Sequence, residues 1–506
     1  MNKNKILSIV GFLIVMLFIG CNSKTTTPAG NLPVLTQAQM YQDFDSLVYI
    51  IENVNPQLII KKKITGIDYL SELKLMRNEI KDCKNTEEFI LLINKAFTLM
   101  QDGHCNILFA HPYFMPYKTA QYLYELTDSM AYCNTLKYIN FFDKTEETQK
   151  FWLEIKYING EYYLLEPFKY KNRIYKEGFK ITEFNGESIH SFVQKLAKYR
   201  IRMRWDFNNN RYYSEMFFWA LPYLNIKYFS LTFCDKNEKK ITDLFDNFKK
   251  VYNYERQIIS SDKDKKIKYF SNSCVLYIKL KKMDLNYLNL DDINELSKNK
   301  KINKIVIDIR GNSGGNDNTW LKLLGRIIDK PIIYPVKQLV KNSNIIRYKL
   351  KNEIKDFKNT EKISLLDNEE FLVIYNQNDT IYPDKKSIKY KGKIYLLQDE
   401  EIYSSALALS SVAALSDKIV SVGQTTGWMG GMCITPIAFT LPNSKLIFTI
   451  EPAIDATNIK TINNFWKDTV EVPFNPPLDY YINRAKSKEK LNIEDDQYYK
   501  KVIELK

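Results

Sequence analysis

Histidine is scarce in this chain. Its 506 residues carry three, His104, His111 and His190, so chemistry that needs an imidazole has few candidates. Cysteine is sparse too, at Cys21, Cys83, Cys105, Cys133, Cys234, Cys274 and Cys433. These are scattered, with no C-x-x-C pair and no metal-ligand spacing, which argues against a cysteine-built metal centre. No G-x-G-x-x-G and no glycine-rich loop ending in Gly-Lys-Ser/Thr occurs, so dinucleotide and phosphate-loop folds find no support. Glycine (17) and proline (16) are modest while 45% of residues are hydrophobic, which excludes collagenous, low-complexity and wholly disordered chains. The net charge of +14 would suit nucleic acid or an anionic surface. The lysines are spread evenly rather than gathered into a helix or stripe, however, and no nucleic-acid partner is expected.

One long apolar run is present, at the start. Lys3 and Lys5 precede an unbroken stretch from Ile6 to Ile19, followed by Gly20 and Cys21. A basic segment, a short apolar core and a small residue at the cut site make a secretory signal, and the run is short for a membrane span. Leu17-Phe18-Ile19-Gly20-Cys21 resembles a bacterial lipobox, which implies that Cys21 is lipidated and starts the mature chain. Residues 1–20 then read as signal peptide and 21–34, polar and without period, as a tether. The expected location is the cell envelope, on the periplasmic face of a membrane or at the cell surface, with the anchor at Cys21 as the membrane contact.

Residues 35–145 begin with helical periodicity. Thr36 and Gln39 have capping-box spacing, and Phe44, Leu47, Val48 and Ile51 share a face before Pro56. Across 146–240 the period shifts to two. Asn159-Gly160 marks a hairpin, and Asn185-Gly186 separates a strand from an amphipathic helix. Residues 241–270, rich in lysine and aspartate, read as a linker. From 271 to 485 the pattern is α/β: strands Val275–Leu280, Lys304–Ile309 and Ile394–Leu397, and helices Asp291–Ser297 and Ser405–Leu415. Residues 332–390 are taken as an insertion and 486–506 as a C-terminal tail.

Three segments carry chemistry. Asp308-Ile309-Arg310-Gly311-Asn312-Ser313-Gly314-Gly315 ends a buried strand in a glycine turn whose amides can hold an anion or an oxyanion. Tyr403-Ser404-Ser405-Ala406 opens a helix, where dipole and amides favour negative charge on a serine oxygen; either serine could equally be a plain N-cap. Asp102-Gly103-His104 lies where a helix gives way to a strand.

In this order the segments resemble the S41 peptidases, the tail-specific or C-terminal-processing proteases and their tricorn-like relatives. Val422-Gly423-Gln424-Thr425-Thr426-Gly427 and Leu441-Pro442-Asn443-Ser444 extend the resemblance, which covers most of Leu35 to Pro477. It implies a multidomain α/β protein: a crotonase/ClpP-like catalytic core, a PDZ-like domain at 146–240 and an N-terminal helical module bearing Asp-Gly-His. Ser404 aligns with the nucleophile, and the amides of Ser405 and of Gly314 or Gly315 with the oxyanion hole. Where one branch of the family has a lysine base this chain has Met429, which leaves His104 as the base, as in the tricorn-like branch. Glu471 and Glu451 are equal candidates for the acid that orients it. No metal or cofactor is implied. Leu407, Gln424 and Phe474 stand where the family has carboxylates. The expected function is a serine endopeptidase acting on unfolded or extended polypeptides; the alternative is a silent, peptide-binding lipoprotein that keeps the fold.

Overall fold

The computed structural model describes residues 32–505 apart from 109–116, 125–127, 147–150, 199–200, 202, 222–223, 225, 247–265, 353, 355–359, 367–368, 429–435, 458, 460–469 and 487–491. The signal peptide, Cys21, most of the tether, His111, Met429 and Cys433 lie outside the described residues.

The chain enters through the helices Gln37–Val54, Gln57–Thr65, Tyr69–Leu75 and Thr86–Leu99. The Thr36 side chain caps the Gln39 amide and the Gln39 side chain returns the bond, so the predicted capping box forms. Pro56 ends the first helix and starts the second, as its fixed φ and missing N–H favour. Phe44, Leu47, Ile51, Phe89, Ile93 and Ala96 form the shared core.

Asn159 and Gly160 both take positive φ, 51° and 89°, which is what a two-residue hairpin between Ile155–Ile158 and Glu161–Leu164 requires. The sheet they enter runs Lys240–Asp246, Tyr228–Cys234, Lys180–Phe184, Glu161–Leu164, Ile155–Ile158. Lys240–Asp246, read from composition as the start of a linker, is paired along its length with Tyr228–Cys234. Phe245 on it packs against Phe229 and Phe151, and burial of that aromatic outweighs the polar residues around it.

The core sheet is ordered Ile267–Phe270, Val275–Lys279, Lys304–Asp308, Ile394–Gln398, Ile419–Gly423, Val472–Pro473. All neighbours are parallel except the first pair. Apolar side chains bury both faces, which is why these strands read as continuous rather than alternating hydrophobic runs.

The stretch 332–390, expected as an insertion, contributes to a sheet apart from the core sheet: its strand Ile332–Lys341 pairs with Glu369–Ile381 on one side and with Ala453–Asp455 on the other. The C-terminus is not a simple tail. The helix Gln497–Glu504 buries Tyr498, Tyr499 and Val502 against the core sheet, and Lys304 donates to the carbonyls of Val502 and Ile503 at its end.

Candidate active site

Lys304–Asp308 and Ile394–Gln398 lie side by side and parallel, with Asp308 opposite Leu397. Both therefore deliver their following loops to one end of the sheet, the end at which open α/β folds place ligands. The two loops are tied together. Gly311 N–H donates to Asp399 Oδ1 at 2.9 Å and Tyr403 N–H to Asn312 O at 3.1 Å.

Ser404 sits at the tip of the second loop. Its φ of 54° and ψ of −125° lie in a region that residues with a Cβ seldom occupy, and it is followed by the helix Ser405–Ala414. Gly314 explains how the loops come so close. A Cβ there would fall 2.6 Å from Ser404 Cβ and 2.7 Å from Tyr403 O, at φ 100°. Only glycine fits.

His104 arrives from the other side of the fold. Asn106–Ile107 pairs antiparallel with Ile447–Ile450, Asn106 facing Thr449. Two residues further in that register, His104 stands opposite Glu451. Its Nδ1 lies 2.6 Å from Glu451 Oε2, and the Glu451 side chain is fully buried. Burial raises the Glu451 pKa, and the contact with His104 opposes the shift. The His104 ring meets the Tyr403 ring edge-on, centroids 5.4 Å apart, and Tyr403 precedes Ser404 in the chain. The structure thus brings His104 beside the turn that carries Ser404.

Of the two acids weighed from sequence, Glu451 reaches His104. Glu471 is exposed at the start of the edge strand, its N–H bonded to Ser421 Oγ at 2.9 Å, because Val472–Pro473 is drawn into pairing with Ile419–Gly423. Gly314 differs from its expected role as well: its amide donates to Asn312 Oδ1 at 2.8 Å and is committed within the loop. Ser405, as the first residue of a helix, has an amide with no acceptor inside that helix. With Gly315 it remains the candidate for holding an oxyanion.

Strong charges brace the loops. Burial opposes ionisation of Asp308, but Arg310 and the Tyr277 hydroxyl outweigh it and hold the carboxyl at about 2. Arg310 also reaches Asp496 at 3.0 Å, so the C-terminal segment props the glycine loop. On the other side Lys156 and Arg204 pair with Glu215, Glu400 and Glu401. Burial disfavours the Glu400 charge, yet the two cations bring it down to about 2. Its neighbour Asp399 moves the opposite way, to about 7, through burial and then the negative charge of Glu400.

Leu407, Gln424 and Phe474, the positions at which the resemblance implies carboxylates, have apolar or tyrosine neighbours. Leu407 is buried among Leu323, Leu396 and Leu409. Gln424 accepts from Tyr498 and Tyr481 hydroxyls at 3.0 and 3.4 Å, and Phe474 packs on Tyr498. Among the described residues no group of three or more His, Cys, Asp or Glu is placed to hold a metal ion, and five cysteines, Cys83, Cys105, Cys133, Cys234 and Cys274, are unbridged. No described helix is long and apolar enough to cross a membrane.

Residues 274–464 match the model of peptidase family S41. That segment belongs to the S41 family. The family is one of serine peptidases, and the matched segment contains both loops, Ser404 and Glu451. His104 lies outside it. No curated protein sequence matches the chain significantly. Among solved structures, mature CPAF superposes with a TM-score of 0.56 at 10% identity, covering 93% of this chain and 97% of that one. Mature CPAF complexed with lactacystin gives 0.55 at 10% identity over 92% and 98%. A CPAF mutant gives 0.55 at 11% identity over 93% and 97%. At these identities the likeness is one of fold, and it spans nearly the whole of both chains.

Proposed function

We propose that this chain is a serine endopeptidase that cuts extended polypeptides through an acyl-enzyme at Ser404. The observation that carries the proposal is the His104–Glu451 pair, 2.6 Å apart, set against the strained turn of Ser404 although the histidine comes from 300 residues upstream. Glu451 holds Nδ1, so Nε2 is the nitrogen that takes the Ser404 hydroxyl proton as Oγ attacks the scissile carbonyl. The same proton passes to the departing amine, and water then cleaves the ester by the reverse exchange. The amides of Ser405 and Gly315 are assigned to the oxyanion.

Residues 146–240 are read as a PDZ-like domain that seats an extended peptide by adding it to a sheet edge. Cys21 is read as the lipid attachment point of an exported, envelope-anchored protein. A second reading, a silent peptide-binding scaffold, is favoured by the loss of carboxylates at Leu407, Gln424 and Phe474.

Turnover separates the two. The chain from Ser23 onward and its Ser404→Ala variant are incubated with an unfolded protein, and fragments are identified by mass spectrometry. Fragments from the first and none from the second are expected, with His104→Ala losing turnover about as fully because the residues act as a unit. Peptide binding without cleavage by the unaltered chain would establish the scaffold reading instead.

A further inference from the structure

We propose that Asp102 and Tyr403 are positioning residues that lock the base loop to the nucleophile turn through one shared oxygen. The proposal rests on the serine-peptidase reading of the site and adds to it two residues with a role in alignment rather than in the reaction itself.

Asp102 Oδ1 accepts two hydrogen bonds. One comes from the backbone N–H of His104 at 2.9 Å and the other from the Tyr403 hydroxyl, also at 2.9 Å. Asp102 belongs to the segment that presents the base, and Tyr403 is the residue before Ser404. A single carboxylate oxygen therefore spans the junction between the segment that presents the base and the turn that carries the nucleophile. Tyr403 has three further holds on the machinery. Its N–H is bonded to Asn312 O in the glycine loop at 3.1 Å, its carbonyl faces the space that Gly314 leaves empty, and its ring lies edge-on to His104.

The backbone before Asp102 is braced. Lys61 is buried and donates to the carbonyls of Met100 and Gln101; burial lowers its pKa and the nearby Asp102 opposes the shift. Gln101, at φ 50°, donates to Ala197 O and Ile201 O at 3.0 and 3.1 Å. The Asp102 carboxyl is buried, its Oδ2 has no hydrogen-bond partner among the described residues, and both of its side-chain bonds run through Oδ1, so what it does at this site is hold the two segments together. Transfer between Ser404 and His104 depends steeply on that distance, so the clamp acts on rate and not on peptide affinity.

The test uses a fluorophosphonate, which phosphonylates the nucleophilic serine of such enzymes with loss of fluoride. Its rate of reaction at Ser404 is measured together with kcat and KM on a peptide, and with thermal melting. Tyr403→Phe keeps the ring and removes the hydroxyl. It is expected to slow phosphonylation and kcat about 10- to 100-fold with KM and melting nearly unchanged. Asp102→Ala supplies a second variant, and the double variant should be little slower than the slower single, because both changes break one connection. Wild-type phosphonylation and kcat in folded Tyr403→Phe, or full additivity in the double variant, would overturn the clamp. The peptidase reading fails separately: there, the unaltered chain is itself unlabelled, or is labelled without dependence on His104.

Discussion

Glu451 stands opposite His104 because Asn106 pairs with Thr449. The hydrogen-bonded pair at the site lies on the line of that register, two residues before Asn106 and two after Thr449. The short pairing of Asn106–Ile107, the Leu108 N–H on Ile447 O and the Thr449 hydroxyl on His104 O hold the two segments side by side.

Glu451→Gln keeps the shape and the hydrogen bond but removes the charge that supports a protonated imidazole. A fall in kcat of about 100-fold or more is expected, on the scale of orienting acids in Ser-His-Asp systems. Glu471→Gln, altering an exposed residue beside the edge strand Val472–Pro473, should leave kcat within about twofold. Equal losses in the two variants would contradict the assignment of Glu451.

Gly314→Ala forces a methyl group to 2.6 Å from Ser404 Cβ at a φ of 100°. The loops must separate or the turn must relax, at a cost of roughly 2–4 kcal/mol by the mechanisms of strain and overpacking. Activity should be lost even where the variant folds. Gly311 also has positive φ, 71°, but open space beside it, so Gly311→Ala is the matched control and should retain more stability in denaturant titration.

Asp399 gives the site a pH signature. Its carboxyl is raised from 3.8 to about 7, by burial first and then by the charge of Glu400. Between those values the folded chain binds a proton that the unfolded chain does not. The stability linked to this group is therefore full below pH about 4 and is lost as pH rises through about 7. Asp399→Asn should preserve the contacts to Gly311 and Glu401 while removing the titration. Melting near pH 4 should match the unaltered chain, and near pH 8 the variant should melt higher by about 2 °C or more. A difference that is constant across the range would count against a titrating Asp399.

Much of the fold is legible in the residues. The capping box at Thr36 and Gln39, the Asn159-Gly160 hairpin and the buried strand Lys304–Asp308 are local signals, each decided by a few neighbours. The strand Lys240–Asp246 and the docked C-terminal helix were hidden for the opposite reason. Their compositions are polar, and what orders them is burial of Phe245 and of Tyr498, Tyr499 and Val502 against partners far away in sequence. Leu407 and Gln424 look like losses in the sequence, and their meaning appears only in place: one lines an apolar core and the other accepts tyrosine hydroxyls.

Taken alone, the sequence determined which groups are available: a serine at the mouth of a helix, one histidine after an Asp-Gly pair, a glycine loop after a buried strand, and two glutamates near the end. Those follow from residue identity and short-range pattern. Which glutamate meets the histidine, which glycine amide is already engaged, and that Tyr403 and Asp102 share an oxygen were decided by tertiary structure. The reason is physical: these contacts depend on strand register and loop approach across 300 residues or more, and no local preference of the chain encodes a distance of that kind.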